Sequence, residues 1–254
     1  MKKIAKKIAD NLGYKITKKG EDMVHEGIPI DIIDQKFITL FKECEPYTFT
    51  TIEPMYSLYQ SVQYIINNNI PGDFVECGVW KGGSAMLIAK ILLTAGIKNR
   101  KIYLYDTFDG MSEPTDKDVD FKGKNANILL KRTDKFVEKS VWCYSSIDEV
   151  KKNLYSTNYP KENLIFVKGK VENTIPQTIP NQISLLRLDT DWYESTYHEF
   201  VHLFPILSKQ GVLIIDDYGH WKGAREATDK YFKENNITIL LNRIDYTVRT
   251  GIKN

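Results

Sequence analysis

Two overlapping patterns in the stretch LDTDWYESTYHEFVH, residues 188–202, could each hold a metal ion. The first is a carboxylate pair, Asp189 and Asp191, and the second is the run HEFVH at residues 198–202. The second run matches the H-E-x-x-H pattern of zinc peptidases, in which two histidines bind zinc and the glutamate acts as general base. Carboxylate oxygens instead favour a hard cation such as Mg²⁺.

The zinc interpretation lacks a third ligand. The extended peptidase pattern requires glycine and histidine at positions where this chain has Pro205 and Ser208, and no glutamate occurs between residues 203 and 225. On the predicted helix, both histidines and Glu199 lie beside the apolar stripe, on the side expected to face solvent. The sequence therefore favours solvated helix residues over a zinc site.

The acidic residues occur where parallel strands are predicted to end. Asp189 ends one strand, and Asp216 and Asp217 end another 27 residues later, so the two strands are expected to be neighbours. Three carboxylates at one cleft repel each other unless a cation such as Mg²⁺ or Mn²⁺ lies among them. Asp191, just beyond the strand, could accept a proton from a substrate hydroxyl that the metal polarises.

The elements that must position these acids form an α/β pattern from about residue 73. Aliphatic strands alternate with amphipathic helices, which predicts a mostly parallel sheet covered on both faces, with ligands bound beyond the carboxyl ends of its strands. The predicted helices include 84–96, 194–208 and 222–235, and the last two strands follow them. Residues 107–145 are long and polar, and they are predicted to form an insertion or lid.

A glycine-rich turn, ECGVWKGGS at residues 76–84, follows the first strand and precedes a helix. It matches neither G-x-G-x-x-G nor the Walker pattern, so a dinucleotide or a nucleoside triphosphate is not indicated. Asp106 ends the next strand, where a carboxylate can accept hydrogen bonds from both ribose hydroxyls. The combination favours a nucleoside cofactor without a diphosphate, such as S-adenosylmethionine.

Four motifs, GDFVECGVWKGGSA, YDTFDGM, LLRLDTDWYEST and LIIDDYGHWKGAREA, resemble the macrocin O-methyltransferase family. The resemblance implies a metal-dependent sugar O-methyltransferase that uses S-adenosylmethionine. It also implies the class I methyltransferase (Rossmann-like) fold, a seven-stranded, mostly parallel sheet with an antiparallel last strand and helices on both faces. Residues 1–70 are expected to form an N-terminal helical lid and oligomer region, and residues 71–254 the methyltransferase domain.

The resemblance also implies roles for individual residues. The implied cofactor-binding residues are Glu76, Gly78, Trp80, Ser84, Asp106, Thr107, Phe108 and Ser146. The implied metal ligands are Asp189, Asp216 and Asp217, and the implied general base is Asp191. His220 and Trp221 either line the acceptor pocket or are structural, and the 107–145 segment is expected to set acceptor specificity.

Composition limits the possible partners. The net charge of +2 is too small for a sequence-independent nucleic-acid binder, and no apolar run is long enough to cross a membrane. Three separated cysteines and the lack of a recognisable secretory signal favour the cytoplasm. The lysine-rich start, with a short amphipathic helix predicted at residues 2–12, would permit peripheral contact with the inner membrane surface. The family resemblance implies a homo-oligomer.

Two other functions stay open at this point. The same carboxylates would serve a metal-dependent O-methyltransferase that acts on a catechol or another phenolic small molecule. The chain could also be a non-catalytic adenosine-binding module of a glycan assembly complex, although such a module is expected to have lost a carboxylate and none is lost here.

Overall fold

The computed structural model describes residues 24–25, 27–137 and 140–254. The chain divides into two compact units, residues 1–38 and 39–254. In the first unit, strands β1 (Val24–His25) and β2 (Ile28–Pro29) pair in antiparallel fashion. The helix predicted at residues 2–12 lies outside the described residues.

A sheet of seven strands organises the second unit. The strands are β3 (Asp73–Cys77), β4 (Ile102–Asp106), β5 (Leu164–Lys168), β6 (Ile183–Leu188), β7 (Leu207–Ile215), β8 (Asn242–Arg243) and β9 (Arg249–Ile252). Their spatial order is β5-β4-β3-β6-β7-β9-β8, and β3 to β7 pair in parallel. Strand β9 is antiparallel to both of its neighbours. The predicted seven-stranded, mostly parallel sheet is therefore confirmed.

Eight α-helices are described along the chain between residues 35 and 234. They are α1 (Gln35–Cys44), α2 (Ile52–Asn67), α3 (Gly83–Thr94), α4 (Ala126–Lys131), α5 (Ile147–Tyr155), α6 (Val171–Thr174), α7 (Tyr193–Leu203) and α8 (Lys222–Glu234). Helix α7 ends five residues earlier than predicted, because Pro205 has no backbone N–H with which to continue the helix. Among the described helices, none combines the length and apolarity needed to span a membrane.

The central strands are buried on both faces, as their unbroken aliphatic sequences require. Every residue of β6 is buried, and its neighbour β3 is buried from its second residue onward. On one side, the aromatic rings of Phe200, Phe204 and Tyr231 pack together between α7 and α8, with centroids 5.2 to 6.0 Å apart. These rings belong to the apolar core that packs against one face of the sheet.

The segment at residues 107–145 is attached to the starts of α7 and α8. The buried Asp118 carboxylate accepts a hydrogen bond from the Tyr193 backbone N–H at 2.8 Å, at the first turn of α7. Asp120 forms a β-bridge with Trp221, and the Lys222 N–H donates to the Val119 carbonyl at 2.9 Å. These contacts fix residues 118–120 beside the ends of β6 and β7.

Candidate active site

One cavity of about 440 Å³ lies beyond the carboxyl ends of the five parallel strands. Residues that follow each of these strands line it, as expected for an open α/β sheet. Six of the eight predicted cofactor residues are among the lining residues. These six are Glu76, Gly78, Trp80, Ser84, Asp106 and Thr107.

The other two predicted cofactor residues do not line the cavity. Phe108 is buried, with its ring 6.3 Å from that of Phe166. Ser146 is the N-cap of α5, and its hydroxyl accepts a hydrogen bond from the Glu149 N–H at 3.3 Å. Their cofactor roles stay predictions, and the described contacts of both residues are structural.

The glycine turn after β3 lies directly against the acidic loop after β6. A side chain at Gly78 would overlap the Asp189 carbonyl oxygen, and the backbone there has φ +84°, which a residue other than glycine rarely adopts. The Asp189 N–H in turn donates to the Cys77 carbonyl at 2.8 Å. The two loops therefore form one wall of the cavity.

Asp106 braces the glycine turn through its carboxylate. Its Oδ2 atom accepts hydrogen bonds from the backbone N–H groups of Val79 and Trp80, at 2.7 and 3.2 Å. Its Oδ1 atom accepts one from the Phe108 N–H at 2.6 Å. Burial raises the pKa of Asp106, and these hydrogen bonds oppose that rise. The predicted ribose contact stays a prediction, since the carboxylate already has these partners.

Three aspartates converge at the ends of β6 and β7, and we call them the acid cluster: Asp189, Asp191 and Asp217. One carboxylate oxygen from each lies within 4.8 Å of the others. Asp217 is 9% exposed, and its Oδ2 atom is buried without a hydrogen-bond partner. Such an atom requires a proton or a cation. The oxygen donors, their spacing and this unpartnered atom fit a hard divalent cation.

Asp216, the other predicted metal ligand, lies outside this cluster and pairs with an arginine, and its role as a metal ligand stays a prediction. Its Oδ1 atom lies 2.6 Å from Arg187 Nη2. The guanidinium is 3% exposed, and its Nη1 atom also pairs with Glu76 at 2.9 Å and with Asp189 at 2.5 Å. Arg187 thus links two further carboxylates, those of Glu76 and Asp216, to Asp189 of the acid cluster. Glu76 and Arg187 are direct neighbours in the β3–β6 register.

Arg187 was not among the functional residues predicted from the sequence, although a charged residue inside an aliphatic strand could have indicated it. It is a basic residue within the buried strand β6, and a buried charge nearly always has a partner. Burial is also the main influence on the neighbouring acids. It raises the pKa of Asp189 and Asp217 well above the usual range for aspartate, and the pKa of Glu76 and of Asp191 to about 7.

We expect the metal-free protein to lose stability as the pH rises from about 5 to about 8. Burial raises the pKa of Glu76 from 4.5 to about 7 and that of Asp191 from 3.8 to about 7. A carboxyl group whose pKa is higher in the folded protein stabilises folding below its unfolded pKa, and this contribution is lost as the pH rises through the folded pKa. Thermal unfolding in EDTA across this range measures the effect. A constant or rising melting temperature would contradict it.

The H-E-x-x-H run does not form a metal site in this structure. Glu199 is fully buried, so the prediction that it faces solvent was wrong. Its carboxyl group packs under the acidic loop and accepts a hydrogen bond from the Thr190 hydroxyl at 2.9 Å. His198 Nε2 instead contacts the Ile175 carbonyl at 2.9 Å. Within residues 27–137 and 140–254, the acid cluster is the only group of three close potential metal ligands.

Known proteins resemble this chain over most of its length. Residues 43–250 match the family model described as Macrocin-O-methyltransferase (TylF). Demethyldecarbamoylnovobiocin O-methyltransferase of Streptomyces niveus is 31% identical over 199 residues, which cover 78% of this chain and 72% of that protein. The 8-demethyl-8-(2,3-dimethoxy-alpha-L-rhamnosyl)-tetracenomycin-C 4'-O-methyltransferase of Streptomyces olivaceus is 27% identical over 250 residues, which cover 96% and 88% of the two chains.

A solved structure shares the fold over most of its length. The structure of the O-methyltransferase NovP aligns with a TM-score of 0.71 and 28% identity, and the alignment covers 82% of each chain. The family match spans most of the chain, including the glycine turn and the acid cluster. The resemblance predicted from the four motifs is confirmed: the chain belongs to the macrocin O-methyltransferase (TylF) family and is an O-methyltransferase.

Proposed function

We propose that this protein transfers a methyl group from S-adenosylmethionine to a sugar hydroxyl of a glycoside, nucleotide-sugar or polysaccharide, with Mg²⁺ or Mn²⁺ bound at the acid cluster. The observation that carries the proposal is the convergence of the acid cluster on a cavity that the glycine turn also lines. A methyl donor and an activated hydroxyl can meet in such a cavity. The relatives described above are named for methylation of glycosylated antibiotics.

The glycine turn would hold the donor. Gly78 lets the turn pack directly against the Asp189 backbone, and Asp106 fixes the turn through its backbone contacts. The Trp80 ring stacks on Phe49, with centroids 3.8 Å apart, and both residues line the cavity. This aromatic pair offers a flat apolar surface beside the turn, which suits the adenosine part of the donor.

Asp189, Asp191 and Asp217 would hold the cation through carboxylate oxygens. When bound, the cation would lower the pKa of an acceptor hydroxyl and stabilise developing negative charge. Asp191 is the proposed general base, and it would accept the hydroxyl proton on a carboxylate oxygen. In the metal-free protein burial raises the pKa of Asp191 to about 7, and a bound cation would lower it and so favour the carboxylate form that a base requires.

EDTA should abolish methyl transfer, and Mg²⁺ should restore it. The reason is that three close, partly buried carboxylates without a cation favour protonation or repulsion over substrate binding. Transfer of radiolabelled methyl groups to sugars, sugar nucleotides and catechols, before and after chelation, measures both metal use and acceptor class. Full methyl-transfer activity after exhaustive chelation would show that the reaction does not require a divalent cation. Methylation of catechols but of no sugar would favour the phenolic alternative.

A homo-oligomer and a cytoplasmic location follow as secondary proposals, from the family resemblance and from composition. Sedimentation of the full-length protein would test the first. The non-catalytic alternative predicts binding of S-adenosylhomocysteine without transfer to any acceptor, so the same methyl-transfer assay addresses it.

A further inference from the structure

Three aromatic side chains cluster on one side of the cavity, and we call them the aromatic rim: Phe121, His220 and Tyr246. The Phe121 ring centroid lies 5.4 Å from that of His220 and 5.8 Å from that of Tyr246. His220 and Tyr246 line the cavity. Phe121 and Tyr246 are 49% and 51% exposed. Phe121 is not itself a lining residue, but it packs against these two lining rings. Exposed rings grouped beside a cavity are a common feature of ligand sites.

The turn that carries Phe121 is held rigidly in place. The Asp120 carboxylate accepts hydrogen bonds from the backbone N–H groups of Lys122 and Lys124, each at 2.8 Å. The same turn is joined to the loop after β7 by the bridge between Asp120 and Trp221. The exposure of the Phe121 ring is therefore a property of an ordered turn.

The other two rings are fixed to each other. His220 Nδ1 lies 3.2 Å from the Tyr246 hydroxyl, and the Gly219 N–H donates to the Thr247 carbonyl at 2.8 Å. A side chain at Gly219 would overlap the Tyr246 carbonyl oxygen, so only glycine permits this approach. The rim is thus preformed, which reduces the entropy cost of binding a ligand on it.

The rim continues directly into the acid cluster. The His220 N–H donates to the Asp217 carbonyl at 3.0 Å. The His220 ring also lies 4.9 Å from that of Trp221, and both residues line the cavity together with the acid cluster. A ligand group on the rim therefore lies next to the acids that would activate its hydroxyl.

We propose that the aromatic rim is the acceptor subsite, where the apolar face of a neutral sugar ring stacks while its hydroxyls reach the acid cluster. This inference rests on the proposed function. Pyranose rings carry C–H groups on their faces and hydroxyls at their edges, which matches flat rings beside oxygen ligands. Charges of both signs flank the rim: Asp245 lines the cavity beside Tyr246, and Lys122 Nζ lies 5.2 Å from the Phe121 ring centroid. Because the rings themselves are uncharged, the proposed acceptor is a neutral glycoside, and the binding test compares it with a nucleotide diphosphate sugar.

Saturation-transfer NMR would test this with the full-length protein loaded with Mg²⁺ and S-adenosylhomocysteine. The probes are methyl glycosides of common hexoses and 6-deoxyhexoses, with dTDP-rhamnose as the charged alternative. At least one neutral glycoside should bind more tightly than dTDP-rhamnose. Phe121→Ala and Tyr246→Ala should each weaken its binding about three- to tenfold, the loss expected for one ring contact. Phe121→Tyr and Tyr246→Phe, which keep the ring, should restore binding.

Phe136→Ala is the matched control, since Phe136 is an exposed phenylalanine, 75% accessible, whose ring packs on Tyr144 and not on the lining rings of the rim. It should leave glycoside binding unchanged. Three results would each overturn the rim proposal. The first is unchanged glycoside binding in both rim alanine variants, and the second is tighter binding of dTDP-rhamnose than of any neutral glycoside. The third is no glycoside binding by the wild-type protein. Calorimetry with S-adenosylhomocysteine separates this result from failure of the proposed function, because a protein that does not bind the nucleoside at all would contradict that function as well.

Discussion

Replacing Arg187 with methionine should lower the free energy of unfolding of the metal-free protein by about 3 to 5 kcal/mol, the cost of leaving buried charges without their partner. The guanidinium is the common partner of Glu76, Asp189 and Asp216. Without it, these carboxylates must take up protons or repel each other. Urea unfolding in EDTA, followed by circular dichroism, would measure the change.

Two further variants make the Arg187 experiment specific. Arg187→Lys keeps one positive charge but loses the planar fork that reaches three carboxylates, so its destabilisation should be intermediate. Adding Glu76→Gln to Arg187→Met should recover part of the lost stability, because one buried charge is removed. An Arg187→Met protein as stable as the wild type would show that the carboxylates do not depend on this ion-pair network.

Replacing Asp191 with asparagine should lower the turnover number about 10²- to 10⁴-fold, the range typical of general acid–base catalysis. The amide is nearly the same size as the carboxylate, but it cannot accept the proton of the acceptor hydroxyl. Binding of S-adenosylhomocysteine should be unchanged, since Asp106 and the glycine turn are untouched. Methyl-transfer kinetics and calorimetry measure the two quantities.

The Mg²⁺ dependence of the Asp191→Asn enzyme separates a base from a ligand. Asp191 lies within ligand distance of Asp189 and Asp217. If its main role were to bind the cation, excess Mg²⁺ would restore turnover, whereas loss of the base persists at any Mg²⁺ concentration. Asp229→Asn, an acid of α8 whose carboxylate contacts the Tyr218 hydroxyl, should behave as the wild type. A turnover number in Asp191→Asn equal to that of the wild type would show that Asp191 is not the general base.

Much of the fold could be predicted from sequence because it depends on local patterns. Aliphatic strands that alternate with amphipathic helices fix a parallel sheet, and the ends of its strands locate the acids. Asp189 and Asp217 could be placed at one site on this basis alone. The predicted α7 was too long because it followed the apolar periodicity to residue 208, past Pro205, which cannot continue the helix.

The details of the site depended on contacts that are distant in sequence. Of the adjacent Asp216 and Asp217, the first pairs with Arg187 from the neighbouring strand and the second joins the acid cluster. The burial of Glu199 follows from the acidic loop that folds over α7, which helical periodicity does not describe. Phe121 and Tyr246 are 125 residues apart, and no local pattern relates them.

The contact between Gly78 and the Asp189 backbone has a thermodynamic consequence. A shift of either loop would displace the other, so binding of the proposed donor and binding of the proposed cation would not be independent events. Whatever factor the nucleoside imposes on cation affinity, the cation must impose on nucleoside affinity, because binding linkage is reciprocal. The close approach at Gly78 would thereby couple the affinity for the donor to the affinity for the cation.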